Sequence, residues 1–184
     1  MLQCNSLIDP EVMRILLSGG IGVLRTDTLY GVVASAANEA AVERVFALKG
    51  RDDNKSPIVL IANKNQLFDA VDSASEKILS NVWPGPVSVI IPAVHAPDWI
   101  QRGNQSVAYR LPDDSSLQQL LTSTGPLIAP SANPQGQPPA VTIQEAIKYF
   151  GDSVDFYVDG GQVHNATASQ LLQVQPNGGV KRLR

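Results

Sequence analysis

At 184 residues the chain is the size of one domain and long enough to bury a substantial core. With 43% hydrophobic and 17% charged residues it has a globular balance, and a net charge of -3 argues against wrapping nucleic acid as its main task. Cys4 stands alone, which excludes an internal disulfide; no apolar run approaches the ~18 residues of a spanning helix, and no charged leader precedes an apolar run, so a cytoplasmic protein without membrane contact is expected.

The first helix is announced by Asp9 as cap, Pro10 at the first helical position and Glu11 against the dipole, and it stops at Gly19-Gly20. Residues 21–24 form a short apolar run that reads as a buried strand and delivers the polar segment Thr26 to Gly31. Asn38 caps a second helix over 39–49, ended by Gly50. A strand follows over 57–62, then helical patterns over 64–71 and 75–82. Trp83-Pro84-Gly85-Pro86 forces a turn into a strand over 87–91. A strand over 107–111 contains Arg110, a helix starts at Asp113 or Asp114 and runs to Leu121, and a strand over 126–129 delivers Ser131 and Asn133. Thr142 to Glu145 is a capping box opening a helix to Phe150, and strands close the chain over 156–158, 169–174 and 180–183. This alternation predicts a single α/β domain over 1–184 on a twisted, at least partly parallel sheet, with ligands gathering beyond the strand ends.

Three polar motifs sit in loops after apolar elements: Thr26-Asp27-Thr28-Leu29-Tyr30-Gly31, Lys49-Gly50-Arg51 and Ser131-Ala132-Asn133. Together they offer hydroxyls, fixed cations and an amide, the inventory for an anionic, hydrogen-bonding ligand. Each has a plainer reading. Thr26 or Asp27 can cap a helix, Lys49 and Gly50 can end one, and Ser131 and Asn133 can form a turn between prolines. Arg110 would be awkward in a covered strand unless it faces a ligand or an internal acid. Asp159-Gly160-Gly161 reads as a turn, Trp83 as a packing anchor, and His95 and His164 show no acid–base or metal-ligand arrangement. Neither a P-loop nor a G-x-G-x-x-G run occurs.

In order, Arg25 to Gly31, Lys49-Gly50-Arg51, Lys55, Trp83 to Pro86, Val107-Ala108-Tyr109-Arg110-Leu111-Pro112, Ser131-Ala132-Asn133 and the late Arg182 resemble the YrdC-like family of threonylcarbamoyl-AMP synthases, across nearly the whole chain. The resemblance implies an open twisted mixed sheet with flanking helices and a concave basic ligand surface. It implies an L-threonylcarbamoyladenylate synthase acting on ATP (with Mg²⁺), L-threonine and bicarbonate, and feeding downstream tRNA-modification proteins, with RNA contact possible. Lys49 and Arg51 would be catalytic. Thr26, Thr28, Tyr30 and Arg110 would hold threonine or its carbamate. Lys49, Arg51, Lys55, Ser131, Asn133 and Arg182 would hold ATP phosphates, with no metal ligand from protein side chains.

The chain departs from the family pattern at several points. Arg25 replaces a usual Pro and places a cation at the pocket mouth. Asp27 replaces Glu, Asp52 and Ser56 stand where Pro is common, and Thr167-Ala168-Ser169 only loosely echoes a family pattern. The sequence ends at Arg184, so a short form without the further domain of longer homologues is expected. Competing readings are an RNA-binding module and a paralogous carbamoyl or adenylyl transferase. Sparse aromatics (5%) and the negative charge favour the enzyme over the RNA module.

Overall fold

Local chemistry places most element ends where the sequence puts them. The structure is a computed structural model that describes residues 1–50, 55–164, 167–175 and 178–184. Asp9 accepts from Glu11 N and opens α1 (Pro10–Leu17), after a short first strand β1 (Leu2–Cys4). Strands β2 (Gly22–Arg25) and β3 (Tyr30–Ser35) follow. Asn38 accepts from Ala41 N to start α2 (Glu39–Lys49), and Gly50 ends it in the left-handed conformation at φ 59°. Beyond it lie β4 (Ile58–Leu60), α3 (Ser73–Val82), β5 (Val87–Pro92), the single turn α4 (Asp98–Gln101) and β6 (Ser106–Arg110). Asp114 caps α5 (Ser115–Thr124), before β7 (Leu127–Ile128). Thr142 caps α6 (Ile143–Phe150), and β8 (Phe156–Val158), β9 (Gln170–Val174) and β10 (Val180–Arg182) complete the order.

Several expectations change. Thr26 and Asp27 cap no helix: Thr26 N donates to Leu29 O at 2.9 Å and closes a tight turn, so β2 and β3 form a hairpin with Arg25 opposite Tyr30. Strand β3 was not expected, nor were β1 and α4; Tyr30 to Ala34 are buried without alternation, so periodicity gave no sign of β3. Residues 64–71 hold one 3₁₀ turn, Lys64–Gln66, capped by Asn63, and Leu67 is already extended. The next amide, Phe68 N, donates to the Tyr109 hydroxyl at 3.2 Å, a tertiary partner that replaces the helical one.

The described strands form one open sheet in the order β1-β8-β2-β3-β7-β4-β6-β5-β9-β10. The β1–β8, β8–β2, β4–β6 and β5–β9 pairs are parallel and the others antiparallel. The expected mixed α/β sheet is therefore present. Successive strand residues split between two cores, as a period of two requires. Val23, Val32, Val59 and Ile128 pack in the larger core with α2, α3, α4 and α6. Leu24, Val33, Leu60 and Leu127 pack in the smaller core with α1 and α5. On that second face the two helices cover the β8-β2-β3-β7-β4 side, and among the described residues no helix packs over β6, β5 and β9. Ile58, Ala108, Ile90 and Gln173 are cross-strand neighbours there and form the floor of a cavity. Among the described residues no helix is long and apolar enough to cross a membrane.

Candidate functional site

The cavity has a volume of about 540 Å³, within the usual range for small-molecule sites. Its floor is the second face of the sheet. Its walls are the β2–β3 turn (Thr26, Thr28, Leu29, Tyr30), the segment after β7 (Ala129, Pro130, Ser131), the approach to β4 (Lys55, Ser56), the start of β6 (Asn104, Ser106) and the C-terminal hairpin (Ser169, Leu171, Arg184). Among the described lining residues the charged ones are Lys55, Arg110 and Arg184, all cationic.

Arg110 ends β6, and its side chain is 4% exposed. Its Nη2 donates to Thr26 Oγ1 at 3.2 Å and lies 3.0 Å from Asp27 Oδ1, whose side chain is 7% exposed. Arg110 thus makes the internal ion pair and also lines the cavity. Burial pushes the Arg110 guanidinium down from its ordinary value; Asp27 opposes that shift and the nearby Arg184 adds to it. Burial likewise pushes the Asp27 carboxyl up, offset in part by Arg110.

Thr26 Oγ1 is the hub of its turn. It donates to Leu29 O at 2.7 Å, accepts from Thr28 N and Leu29 N, and lies 3.1 Å from Thr28 Oγ1. Tyr30 borders the cavity, but its side chain is fully buried with the larger core and its hydroxyl is engaged there. It donates to Gly161 O at 2.8 Å, accepts from Gly160 N at 3.0 Å and lies 3.2 Å from Asp159 Oδ1. Burial raises this phenol to about 12. The Asp159 to Gly161 segment is the expected turn, with Gly161 N on Asp159 Oδ1 at 2.8 Å. Arg25 does not reach the pocket mouth: its Nη1 donates to Gly160 O at 2.7 Å, and it lies outside the cavity lining.

Lys49 and Asn133 are near the cavity but do not line it. Lys49 is 6% exposed, and its ammonium donates to the backbone carbonyls of Ser131 and Asn133. Asn133 Nδ2 donates to Pro134 O at 3.0 Å and Gln137 O at 2.7 Å, and its Oδ1 accepts from Ser131 Oγ at 2.6 Å. The two side chains therefore shape the loop that presents Ser131. Arg51 lies outside the described residues.

Arg182 does not line the cavity, whereas Arg184 does. Arg182 pairs with Leu172, whose neighbours Leu171 and Gln173 face the cavity, so alternation turns Arg182 away; it is exposed and donates from Nε to Arg184 O at 3.1 Å. Leu183 N and Arg184 N then both donate to Leu171 O, at 2.8 and 3.4 Å. Two residues facing one is a bulge, and it turns Arg184 back to the cavity. There Nε donates to Ser169 O at 3.0 Å and Nη2 to Ser169 Oγ at 3.3 Å, while Ser88 Oγ sits 2.9 Å from Ser169 Oγ. Sequence reasoning missed Arg184 because two arginines lie two residues apart and only the bulge separates their faces.

The sequence matches the family described as Telomere recombination (Sua5/YciO/YrdC) over residues 14–184. The threonylcarbamoyl-AMP synthase of Marinobacter nauticus is 32% identical over 165 residues, 86% of this chain and 87% of that protein. The threonylcarbamoyl-AMP synthase of Pseudomonas fluorescens is 30% identical over 183 residues, 97% and 98% of the two chains. Among solved structures, P. abyssi Sua5 complexed with L-threonine superposes with a TM-score of 0.86 at 27% identity, covering all of this chain and 56% of that one. The chain thus spans little more than half the length of that protein. E. coli YciO matches with a TM-score of 0.84 at 18% identity, covering 100% of this chain and 92% of that one, a likeness of fold.

Proposed function

Because the chain belongs to the Sua5/YciO/YrdC family, we propose that it is an L-threonylcarbamoyladenylate synthase, a nucleotidyltransferase that converts L-threonine, bicarbonate and ATP into threonylcarbamoyl-AMP, pyrophosphate and water. The observation that carries this reading is the cavity wall. In a chain of net charge -3, the described charged residues that face the cavity are three cations, set among hydroxyls. Such a wall suits several anionic groups at once. That a relative has been solved with L-threonine supports placing the amino acid in the corresponding hollow.

The chemistry needs no covalent nucleophile. Bicarbonate takes up a proton and loses water to give CO₂; the amine of threonine attacks its carbon and loses a proton, giving a carbamate. A carbamate oxygen attacks the α-phosphorus of ATP, and the bond to the β-phosphate oxygen breaks so that pyrophosphate leaves with the electron pair. The protein's part is to bring two anions together and to neutralise charge as it develops. Arg110, Arg184 and Lys55 are the cations for that work. Thr26, Thr28 and Tyr30 shape the threonine side, with the Tyr30 hydroxyl held from behind. Ser131 would turn its hydroxyl from Asn133 Oδ1 to a phosphate or carbamate oxygen when the ligand is bound, and Lys49 and Asn133 hold its loop. The role of Arg51 rests on the family resemblance. Mg²⁺ enters with the triphosphate as part of the nucleotide substrate. The product is a reactive mixed anhydride that a cytoplasmic tRNA-modification system consumes.

The test is pyrophosphate release by the purified protein with ATP and Mg²⁺, with threonine and bicarbonate each present or omitted. Release is expected only when both are present, together with an adenylate product. ATP turnover indifferent to threonine would overturn the reading.

A further inference from the structure

Among the described residues Asp27 is the carboxylate that pairs with the cationic wall, yet it lies outside the cavity lining. Seen from the cavity, Arg110 is in front and Asp27 behind. The pair has an unusual geometry. Nη2 of Arg110 is 3.0 Å from Oδ1, but neither oxygen of Asp27, nor Nε of Arg110, completes a hydrogen bond. A buried ion pair arranged for stability satisfies its donors and acceptors, usually in a bidentate fork. Here the Coulomb attraction is retained without the fork. Among the described residues the one hydrogen bond of Arg110's side chain goes from Nη2 to Thr26 Oγ1, which leaves other N–H groups of the fork uncommitted in a side chain that lines the cavity.

The surroundings explain why a negative charge is needed there. Arg184 faces Arg110 from the C-terminal hairpin, and the two cations repel. Asp114, at the start of α5, faces Asp27 and disfavours its charge. Without Asp27, Arg110 would be a desolvated cation held by one hydroxyl and pushed by Arg184, with every incentive to leave the wall. With Asp27 in a fork, the donors would be consumed and none would remain for a ligand.

We infer that Asp27 is a positioning residue: its carboxylate holds the Arg110 guanidinium in the cavity wall while leaving donors free for an incoming anion, the carboxylate of an amino acid or a phosphate of a nucleotide. This rests on the reading of the cavity given above. Asp27 acts through Arg110 and touches no substrate. The arrangement resembles a spring-loaded contact in which the ligand supplies the hydrogen bonds that the internal partner withholds.

The experiment is a double-mutant cycle read by calorimetry on the whole chain, titrating L-threonine and ATP separately, with threonine-dependent pyrophosphate release measured in parallel. The ligand that loses affinity in Arg110→Gln is the one whose anion Arg110 receives. Asp27→Asn should weaken that same ligand by about 10- to 100-fold, as loss of a charge-assisted contact does, and Asp27→Glu should restore most of the loss. In the Arg110→Gln background, Asp27→Asn should change affinity by no more than about twofold, the scatter of independent sites. That last comparison also stands if Asp27→Asn alone does not fold, because the double variant carries no buried charge. Additive losses, unchanged affinity in Asp27→Asn, tighter binding in Asp27→Asn, or a wild-type protein that binds neither ligand would each overturn the inference. Wild-type ATP turnover that ignores threonine would instead sink the functional reading, whatever the cycle shows.

Discussion

The Arg110 guanidinium donates to the Thr26 hydroxyl at 3.2 Å although four strand spacings separate β6 from β2 in the sheet. Laid flat, those spacings amount to about 19 Å, well beyond the reach of an arginine side chain. The sheet must therefore curl, as accumulated strand twist allows, until the β2–β3 turn overhangs the end of β6. The cavity lies inside that curl, and the Arg110–Thr26 bond ties its two rims together.

Arg110→Met should therefore cost stability as well as activity. Removing one partner of a buried ion pair costs about 3–5 kcal/mol, because the other charge is left uncompensated. The deficit should depend on pH with a definite sign. Burial already raises the Asp27 carboxyl above its unfolded value, and loss of the opposing cation raises it further. A group raised on folding stabilises below its unfolded pKa and loses that contribution as pH rises through the folded value. The gap in urea midpoint between Arg110→Met and wild type should thus narrow as pH falls from 7 toward the carboxylate range. A gap that widens on acidification would contradict the assignment.

Arg184 and Arg182 should separate cleanly. Arg184→Ala removes a cation from the cavity and should lower kcat/KM for ATP by about 10- to 100-fold, a charge-assisted bond to phosphate being worth roughly 1.5–3 kcal/mol. Arg182→Ala should stay within about twofold, as exposed substitutions do. Equal losses would mean that the bulge does not select between them.

Lys49→Met should loosen the Ser131 loop. The buried ammonium holds two backbone carbonyls there; the substitution strips Asn133 O of that donor and leaves Ser131 O with Asn133 N alone. Both the melting temperature and the amide-exchange protection of Ala132 and Gln135 should fall, together with turnover. Activity lost with protection unchanged would show that Lys49 serves the ligand alone.

Alkaline titration should separate most of the chain's tyrosines from free phenol. Burial raises Tyr30, Tyr109 and Tyr157 each to about 12. Their contribution to stability is present below the unfolded value of 10 and is lost as pH rises through about 12. Phenolate absorbance for three of the four tyrosines should therefore appear together with unfolding between those values. Ionisation of all four near pH 10 in a folded protein would contradict their burial.

Capping chemistry was readable in the chain. Asp9, Asn38, Asp114 and Thr142 each place a short polar side chain on an amide two or three residues ahead, and the four helices begin where those residues stand. The fold class was also readable, since it follows from the alternation of elements, and the ordered motifs pointed to the family. Strand β3 was not, because a strand buried on both faces has no period to detect. Nor could the roles within the motifs be read. Lys49 and Ser131 are equally polar in sequence, but a long ammonium can reach backbone carbonyls behind the wall while Ser131 remains on it. Arg182 and Arg184 have the same side chain, and one bulged carbonyl at Leu171 decides which of them faces the cavity. Asp27 meets Arg110 only because the sheet curls. Local sequence determines where an element starts and which residue types are at hand; register, bulge and twist arise from pairing between distant strands, and these decide which of those side chains share a site.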